Sequence, residues 1–134
     1  MNASVIDKVA WICMENGRLL AVRSKGKALF YLPGGKREPG ESDEAALRRE
    51  VEEELSVRLL PDSIAPFGVF SAKADGKAGG VQVRMTCLTA RHEGELAAAS
   101  EIEEWAWLSA ADRDRMSAAS RLIADRLAER GELK

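Results

Sequence analysis

Short apolar runs separated by turn residues occupy most of the chain, and two longer segments show the three-and-four spacing of a helix that buries one face. Lys8 to Met14 and Leu19 to Arg23 are β-prone runs on either side of Asn16-Gly17, a pair suited to the positive φ angles of a tight hairpin. Ala28 to Leu32 reads as a further short strand, stopped by Pro33-Gly34-Gly35. After the turn Glu38-Pro39-Gly40, Ser42 offers a side-chain oxygen to cap a helix that carries Asp43 and Glu44 in its first turn and should run to about Leu55. Val57 to Leu60, Phe67 to Ala72, Val81 to Ala90 and Glu104 to Leu108 are strand candidates. Lys73 to Gly80, rich in glycine and lysine, reads as a hairpin loop. From Ser109, taken as a cap, to Arg130, the residues Met116, Ala119, Ile123 and Leu127 recur at helical spacing, and Gly131 ends that helix. Strands alternating with two long helices imply a mixed α/β domain.

Composition narrows the class. A chain of 134 residues suits one domain spanning residues 1–134, and 46% hydrophobic with 31% charged residues is the balance of a globular protein. No stretch approaches the roughly 18 apolar residues of a membrane span, and Met1 to Lys8 lacks a basic segment followed by an apolar run, so the expected location is the cytoplasm. A formal net charge of -2, from 20 basic and 22 acidic residues, gives no global attraction to a polyanion and argues against a nucleic-acid partner. Cys13 and Cys87 lie far apart in apolar segments without CxxC spacing and read as buried core thiols. His92 is the only histidine, and there is no GxSxG, so neither a zinc site nor a histidine-based triad is supported.

The segment with most chemistry is Gly35 to Val57, GKREPGESDEAALRREVEEELSV. On its helix Glu50, Glu53 and Glu54 share an arc of roughly 100° beside the apolar stripe Leu47, Val51 and Leu55. Carboxylates so close repel one another unless a hard divalent cation joins them. Mg²⁺ takes oxygen ligands and commonly bridges protein carboxylates to phosphates, so the cluster points to phosphate chemistry. Arg49 stands one turn before Glu53 and can orient it at the i, i+4 spacing. A solvated helix in which Arg48 and Arg49 make ordinary surface ion pairs would have the same composition, and the helix alone does not separate the two readings.

The spacing of the whole segment does separate them. It is similar to the Nudix box, G-x(5)-E-x(7)-R-E-U-x-E-E-x-G-U with U a bulky aliphatic residue, the signature of the MutT-like Nudix hydrolases. Gly35, Glu41, Arg49, Glu50, Val51, Glu53, Glu54 and Val57 are in register, and Ser56 alone departs, where the pattern has glycine. The resemblance implies an α/β/α sandwich with a mixed, curved sheet between helices, and the order of elements fits it along nearly the full chain. It implies Glu50 and Glu54 as principal metal ligands, Glu53 as a ligand or water contact, the Gly35 carbonyl as a further donor, and Glu41 and Arg49 as supports. A side chain at Gly34 or Gly35 is expected to obstruct backbone approach to metal or phosphate. Serine at position 56 is expected to strain or alter the left-handed exit of the helix. A further glutamate often comes from the loop before the last strand in this family. Glu101, Glu103 and Glu104 compete for that place, counting back from Trp107-Leu108 favours Glu101 among the three, and an ordinary surface acidic loop fits the same residues equally well.

The implied activity is metal-dependent hydrolysis, with Mg²⁺ or Mn²⁺, of a phosphoanhydride in a nucleoside diphosphate derivative, a nucleoside triphosphate being the working substrate. Arg49, Glu53 and Glu101 are carried as the catalytic set, with the general base left open between the glutamates. Arg23, Lys25, Lys27, Lys36 and Arg37 flank the loop and are candidates to grip phosphate, Arg23 and Lys36 ranking first. Phe30, Tyr31, Phe67, Phe70 and Trp105 are candidates to stack on a base, although each also reads as core. The downstream proline of the ADP-ribose hydrolases and the longer motifs tied to NADH or coenzyme A are absent. The competing reading is a catalytically silent Nudix domain that binds a nucleotide as a sensor, against which the full set Glu50, Glu53 and Glu54 argues. A homodimer is compatible with the family.

Overall fold

Strand β1 (Val5–Ile12) is buried along its second half on both faces, as expected of a strand inside a sheet with cover on either side. This structure, a computed structural model, describes residues 5–74 and 80–134. The remaining strands are β2 (Met14–Glu15), β3 (Arg18–Ser24), β4 (Gly34–Lys36), β5 (Arg58–Leu59), β6 (Ala65–Lys73), β7 (Gln82–Thr89), β8 (His92–Glu93) and β9 (Ile102–Leu108). The helices are α1 (Asp43–Leu55) and α2 (Ala118–Glu129). A mixed sheet runs in the order β4-β1-β7-β6, with β1 parallel to β7 and antiparallel to β4; β2-β3-β9 form an antiparallel sheet, and β5 pairs with β8.

Alternation along the strands divides the interior into two cores. Ala10 and Ile12 of β1, Leu19 and Ala21 of β3 and Cys87 of β7 pack with Ile123 and Leu127 of α2. Val9, Trp11, Leu20 and Val22, their neighbours in sequence, face the other way and pack with Leu47, Val51 and Leu55 of α1. A period of 2 in the strands sends successive side chains to opposite helices, and this gives the sandwich of helix, sheet and helix. Cys13 and Cys87 are buried free thiols, and burial pushes both up to about 12, leaving them inert as nucleophiles.

Several elements differ from the sequence-based expectation. The Asn16-Gly17 turn forms with both residues at positive φ, but its arms are only Met14-Glu15 and Arg18-Leu19; β1 leaves the hairpin for the mixed sheet. Ala28 to Leu32 is not a strand. Phe30 bridges to Met116 and Tyr31 to Val22, so adjacent residues spend their backbone groups on different partners and no ladder grows. The expected helix from Ser109 to Arg130 is broken: a 3-10 turn, Ala110–Arg115, is capped by Ser109 with Asp112, and α2 starts afresh with Ser117 as cap. The break falls where Met116 is drawn extended into its bridge with Phe30. The expected loop Lys73 to Gly80 joins paired β6 and β7, and its residues 75–79 lie outside the described residues.

Candidate active site

The site is assembled where the C-terminal half of α1 crosses β4. Ser42 caps α1 by accepting the Ala45 N–H, and the buried stripe of Ala46, Leu47, Val51 and Leu55 fixes the helix's rotation against the sheet. That rotation aims Glu50 and Glu54 at the paired glycines of β4. Glu54 Oε1 accepts the Gly34 N–H at 3.0 Å. The Glu50 carboxylate lies against Gly35 so closely that a Cβ there would come within 2.6 Å of Oε2. Gly34 is needed for a different reason: at φ 147° its Cβ would meet the Val9 carbonyl oxygen at 2.0 Å. A side chain at either glycine thus meets a conflict within the protein itself, one with a carboxylate and one with strand β1.

Arg49 makes the expected i, i+4 ion pair with Glu53, but its shortest contacts go to other partners. Its Nε and Nη2 donate to the two oxygens of Glu41 at 2.7 and 2.8 Å, Nη1 donates to Glu50 at 2.8 Å, and Nη2 also reaches the Lys36 carbonyl at 3.0 Å. Glu53, the i, i+4 neighbour, is more distant at 3.5 Å. A planar guanidinium matches a carboxylate in this forked geometry and cannot do so with a partner placed end-on. The fork holds the Glu41 carboxyl down to about 2 and raises Arg49 itself. The box loop is thereby bolted to the helix.

The acidic side chains that remain are less well compensated. Burial pushes Glu54 up to about 7, a rise opposed by the Gly34 N–H and by Lys8 and reinforced by the charges of Glu50 and Glu53. Burial also raises Glu50 against the pull of Arg49. Glu50, Glu53 and Glu54 line one pocket of about 280 Å³ together with Ser24, Ser100 and Glu101. Glu101 enters from a loop docked on the end of α1: Ala97 N–H donates to Leu55 O, Ala99 N–H to Glu54 O, and Ser56 Oγ to Ala97 O at 3.2 Å. Ser56, standing where the box has glycine, takes the left-handed conformation itself, at φ 63° and ψ 20°. Glu104 is drawn off by Arg23, and Glu103 is exposed and lines none of these pockets.

Among the described residues no three acidic, histidine or cysteine side chains are gathered into a ready-made metal cage. An open array of hard oxygens around bare backbone at Gly35 nonetheless fits a divalent ion of the Mg²⁺ type, which keeps several waters and needs few protein ligands. Neither first-ranked phosphate candidate lines the pockets. Arg23 donates to Glu104 at 2.8 Å and to the Lys27 carbonyl at 3.0 Å, and Lys36 is exposed on β4. A second pocket, of about 260 Å³, shares Glu54 and Ser24 with the first and carries Lys8, Lys27 and Lys73. Lys27 was among the sequence candidates; Lys8 and Lys73 were not, because they come from β1 and β6 and only the pairing of β1 and β6 with β7 brings them together. Of the five aromatic candidates only Tyr31 lines this pocket. Phe30 is buried in the core, Phe67 and Phe70 stack on each other, and Trp105 packs edge-on against Trp107.

Comparison with known proteins agrees with this architecture. The NUDIX domain family model matches residues 6–127. The chain is 36% identical over 92 residues to the nucleoside triphosphatase NudI of Escherichia coli, covering 62% of this chain and 63% of that protein. It is 37% identical over 65 residues to a MutT-like protein of Streptomyces ambofaciens, covering 48% of this chain and 41% of that one. The matched region thus spans less than two thirds of either relative. In three dimensions it resembles the MutT NUDIX hydrolase of Burkholderia pseudomallei, with a TM-score of 0.76 at 22% identity over 92% of this chain and 98% of that one. A mixed sheet between two helices, with a carboxylate-bearing helix docked on a paired glycine strand, defines the class, and the chain belongs to the Nudix family. Among the described residues no helix is long and apolar enough to cross a membrane.

Proposed function

We propose that this chain is a divalent-metal-dependent pyrophosphohydrolase that cleaves a phosphoanhydride bond in a nucleoside diphosphate derivative, with nucleoside triphosphates as the substrate class. The observation that carries the reading is the convergence of Glu50, Glu53, Glu54 and Glu101 on one pocket that adjoins a second, lysine-bearing pocket through Glu54. The match to the NUDIX domain over residues 6–127 supports treating the chain as one domain, and the partial match to a nucleoside triphosphatase supports the substrate class.

Glu50, Glu53 and Glu54, with the Gly35 carbonyl, would hold Mg²⁺ or Mn²⁺. Such an ion, when bound, offsets the negative charge of the phosphate oxygens and makes a nearby water more acidic. Arg49 acts as a positioning residue, holding Glu50 against Gly35 while its other face grips Glu41. Glu53 or Glu101 accepts the proton of the attacking water. The water oxygen bonds to phosphorus as the anhydride P–O bond breaks, and the leaving phosphate carries away the electron pair. Lys8 and Lys27, which line the pocket that shares Glu54, are the cations proposed to meet the phosphates, since Arg23 and Lys36 line neither pocket.

The test is release of phosphate or pyrophosphate from a panel of nucleoside triphosphates, ADP-ribose and dinucleoside polyphosphates with Mg²⁺ or Mn²⁺. Wild type should turn over at least one triphosphate, and Glu54→Gln should lose at least about 100-fold in kcat. Nucleotide binding without metal-dependent turnover would replace the hydrolase with a sensor.

A further inference from the structure

A phosphate cleaved by the proposed hydrolase has to lie where the acidic pocket meets the lysine-bearing one. Among the described residues two line both pockets, Glu54 and Ser24. As a metal ligand Glu54 is ionised and only accepts hydrogen bonds, whereas a serine hydroxyl also donates. Ser24 is thus the donor side chain at the junction. Alternation along β3 delivers it there. Leu20 and Val22 face α1, and Ser24, two residues further on, joins Glu50, Glu53 and Glu54 of α1 around the acidic pocket. Arg23, between them, is taken by Glu104, the residue opposite it on β9, and lines neither pocket.

The backbone around Ser24 is pinned. Ser24 O accepts the Lys27 N–H at 3.0 Å, and the next residue, Lys25, donates its N–H to Glu101 O at 2.9 Å, so one bond joins the end of β3 to the loop that carries Glu101. The ladder to β9 shifts register between Arg23 and Ser24, an irregularity of the kind that re-aims side chains beside active sites. The Ser24 hydroxyl itself has no hydrogen-bond partner among the described residues. We propose that this hydroxyl donates a hydrogen bond to a non-bridging oxygen of the phosphate under attack, holding that phosphorus between the metal-binding glutamates and the lysines. A donor held ready on fixed backbone needs no rearrangement as charge builds on such an oxygen, and a bond to an ionised acceptor is stronger than one between neutral groups. The inference rests on the hydrolase reading above and adds to it a residue that touches the substrate.

Ser24→Ala should keep the wild-type Tm and lower kcat/KM for a nucleoside triphosphate about tenfold or more. Sulfur accepts hydrogen bonds poorly, so exchanging one non-bridging oxygen for sulfur at the α or the β phosphorus removes the same bond from the substrate side. The slowing that sulfur causes in wild type should shrink about threefold or more in Ser24→Ala at one of the two positions, because a bond already lost cannot be lost again. A residue that only shaped the pocket would lower the rate and leave the sulfur effect unmoved. Binding of a triphosphate analogue with a methylene bridge between the α and β phosphorus atoms, measured by titration calorimetry, gives a readout without turnover, and Ser24→Ala should bind it about threefold or more weakly. A Ser24→Ala rate within about twofold of wild type, or an equal sulfur effect in both proteins at both positions, overturns the contact and leaves the hydrolase standing. If wild type turns over no triphosphate, the hydrolase reading falls. In that case weaker analogue binding by Ser24→Ala keeps Ser24 as a phosphate contact, and equal binding by the two proteins, or binding by neither, overturns the contact as well.

Discussion

Gly34 and Gly35 are neighbours, yet a methyl group at each would strike different matter. At Gly34 it meets the Val9 backbone at 2.0 Å on a residue already at φ 147°, and backbone cannot move aside without parting β4 from β1. Gly34→Ala is expected to lower unfolding stability by about 3 kcal/mol, read from urea denaturation. At Gly35 it meets the far end of Glu50, which can swing away. Gly35→Ala should therefore melt close to wild type yet lose at least about tenfold in turnover and bind Mn²⁺ more weakly; full activity in that variant would show that Glu50 has no need of its place against the strand. The Arg49–Glu41 fork makes a prediction in pH. Because the folded Glu41 carboxyl is held down to about 2 from its ordinary 4.5, its contribution to stability is complete above about pH 4.5 and is lost as pH falls toward 2. The urea midpoint of Glu41→Gln should fall less between pH 5 and pH 3 than that of wild type.

Among the elements, α1 was legible from its Ser42 cap to Leu55 because a polar cap, an acidic first turn and an apolar stripe all agree on one helix. The second helix was misread across Met116, because four apolar residues in helical register also fit two separate segments meeting at that residue. The signal that distinguishes them is the second serine: Ser117 is almost wholly buried, accepts the Ser120 N–H at its own helix start and restarts α2 after the extended Met116. Ser117→Ala should cost about 1 to 2 kcal/mol by removing that cap, a drop of several degrees in Tm; an unchanged Tm would mean that the helix start is held by the Phe30 bridge alone. The box residues of the site were legible for the reason α1 was, since their spacing is local. Lys8, Lys73 and the sharing of Glu54 between two pockets were not, for they depend on which strands pair, and no periodicity in one strand reports its partner. Serine at position 56 was expected to disturb the helix exit, yet the left-handed turn forms and the hydroxyl ties down the loop that delivers Glu101.

Across the whole molecule, the two cores lie on opposite faces of the sheet, and the acidic pocket touches only the α1 side. Under the proposed reading, adding Mg²⁺ or Mn²⁺ to metal-free protein should raise Tm by several degrees, because a ligand bound only to the folded state stabilises it by mass action. The rise should vanish in Glu54→Gln, and chelation with EDTA should abolish turnover; a metal-induced rise of equal size in the variant would move the ion elsewhere. The parallel pairing of β1 with β7 also sets a timetable for synthesis. β1 is made first, yet its neighbour on one side spans residues 82–89, and the sheet that carries β3 waits for residues 102–108. While the ribosome is still adding the middle of the chain, the glutamates of α1 are already made but have no finished surface to lean on, and the apolar stripe beside them is open to any passing hydrophobic surface. The nascent protein is thus at its most vulnerable in the interval when its acidic helix exists and the scaffold does not, and a truncation between Leu55 and Leu108 leaves a chain that holds the whole acidic helix but cannot build the pocket around it.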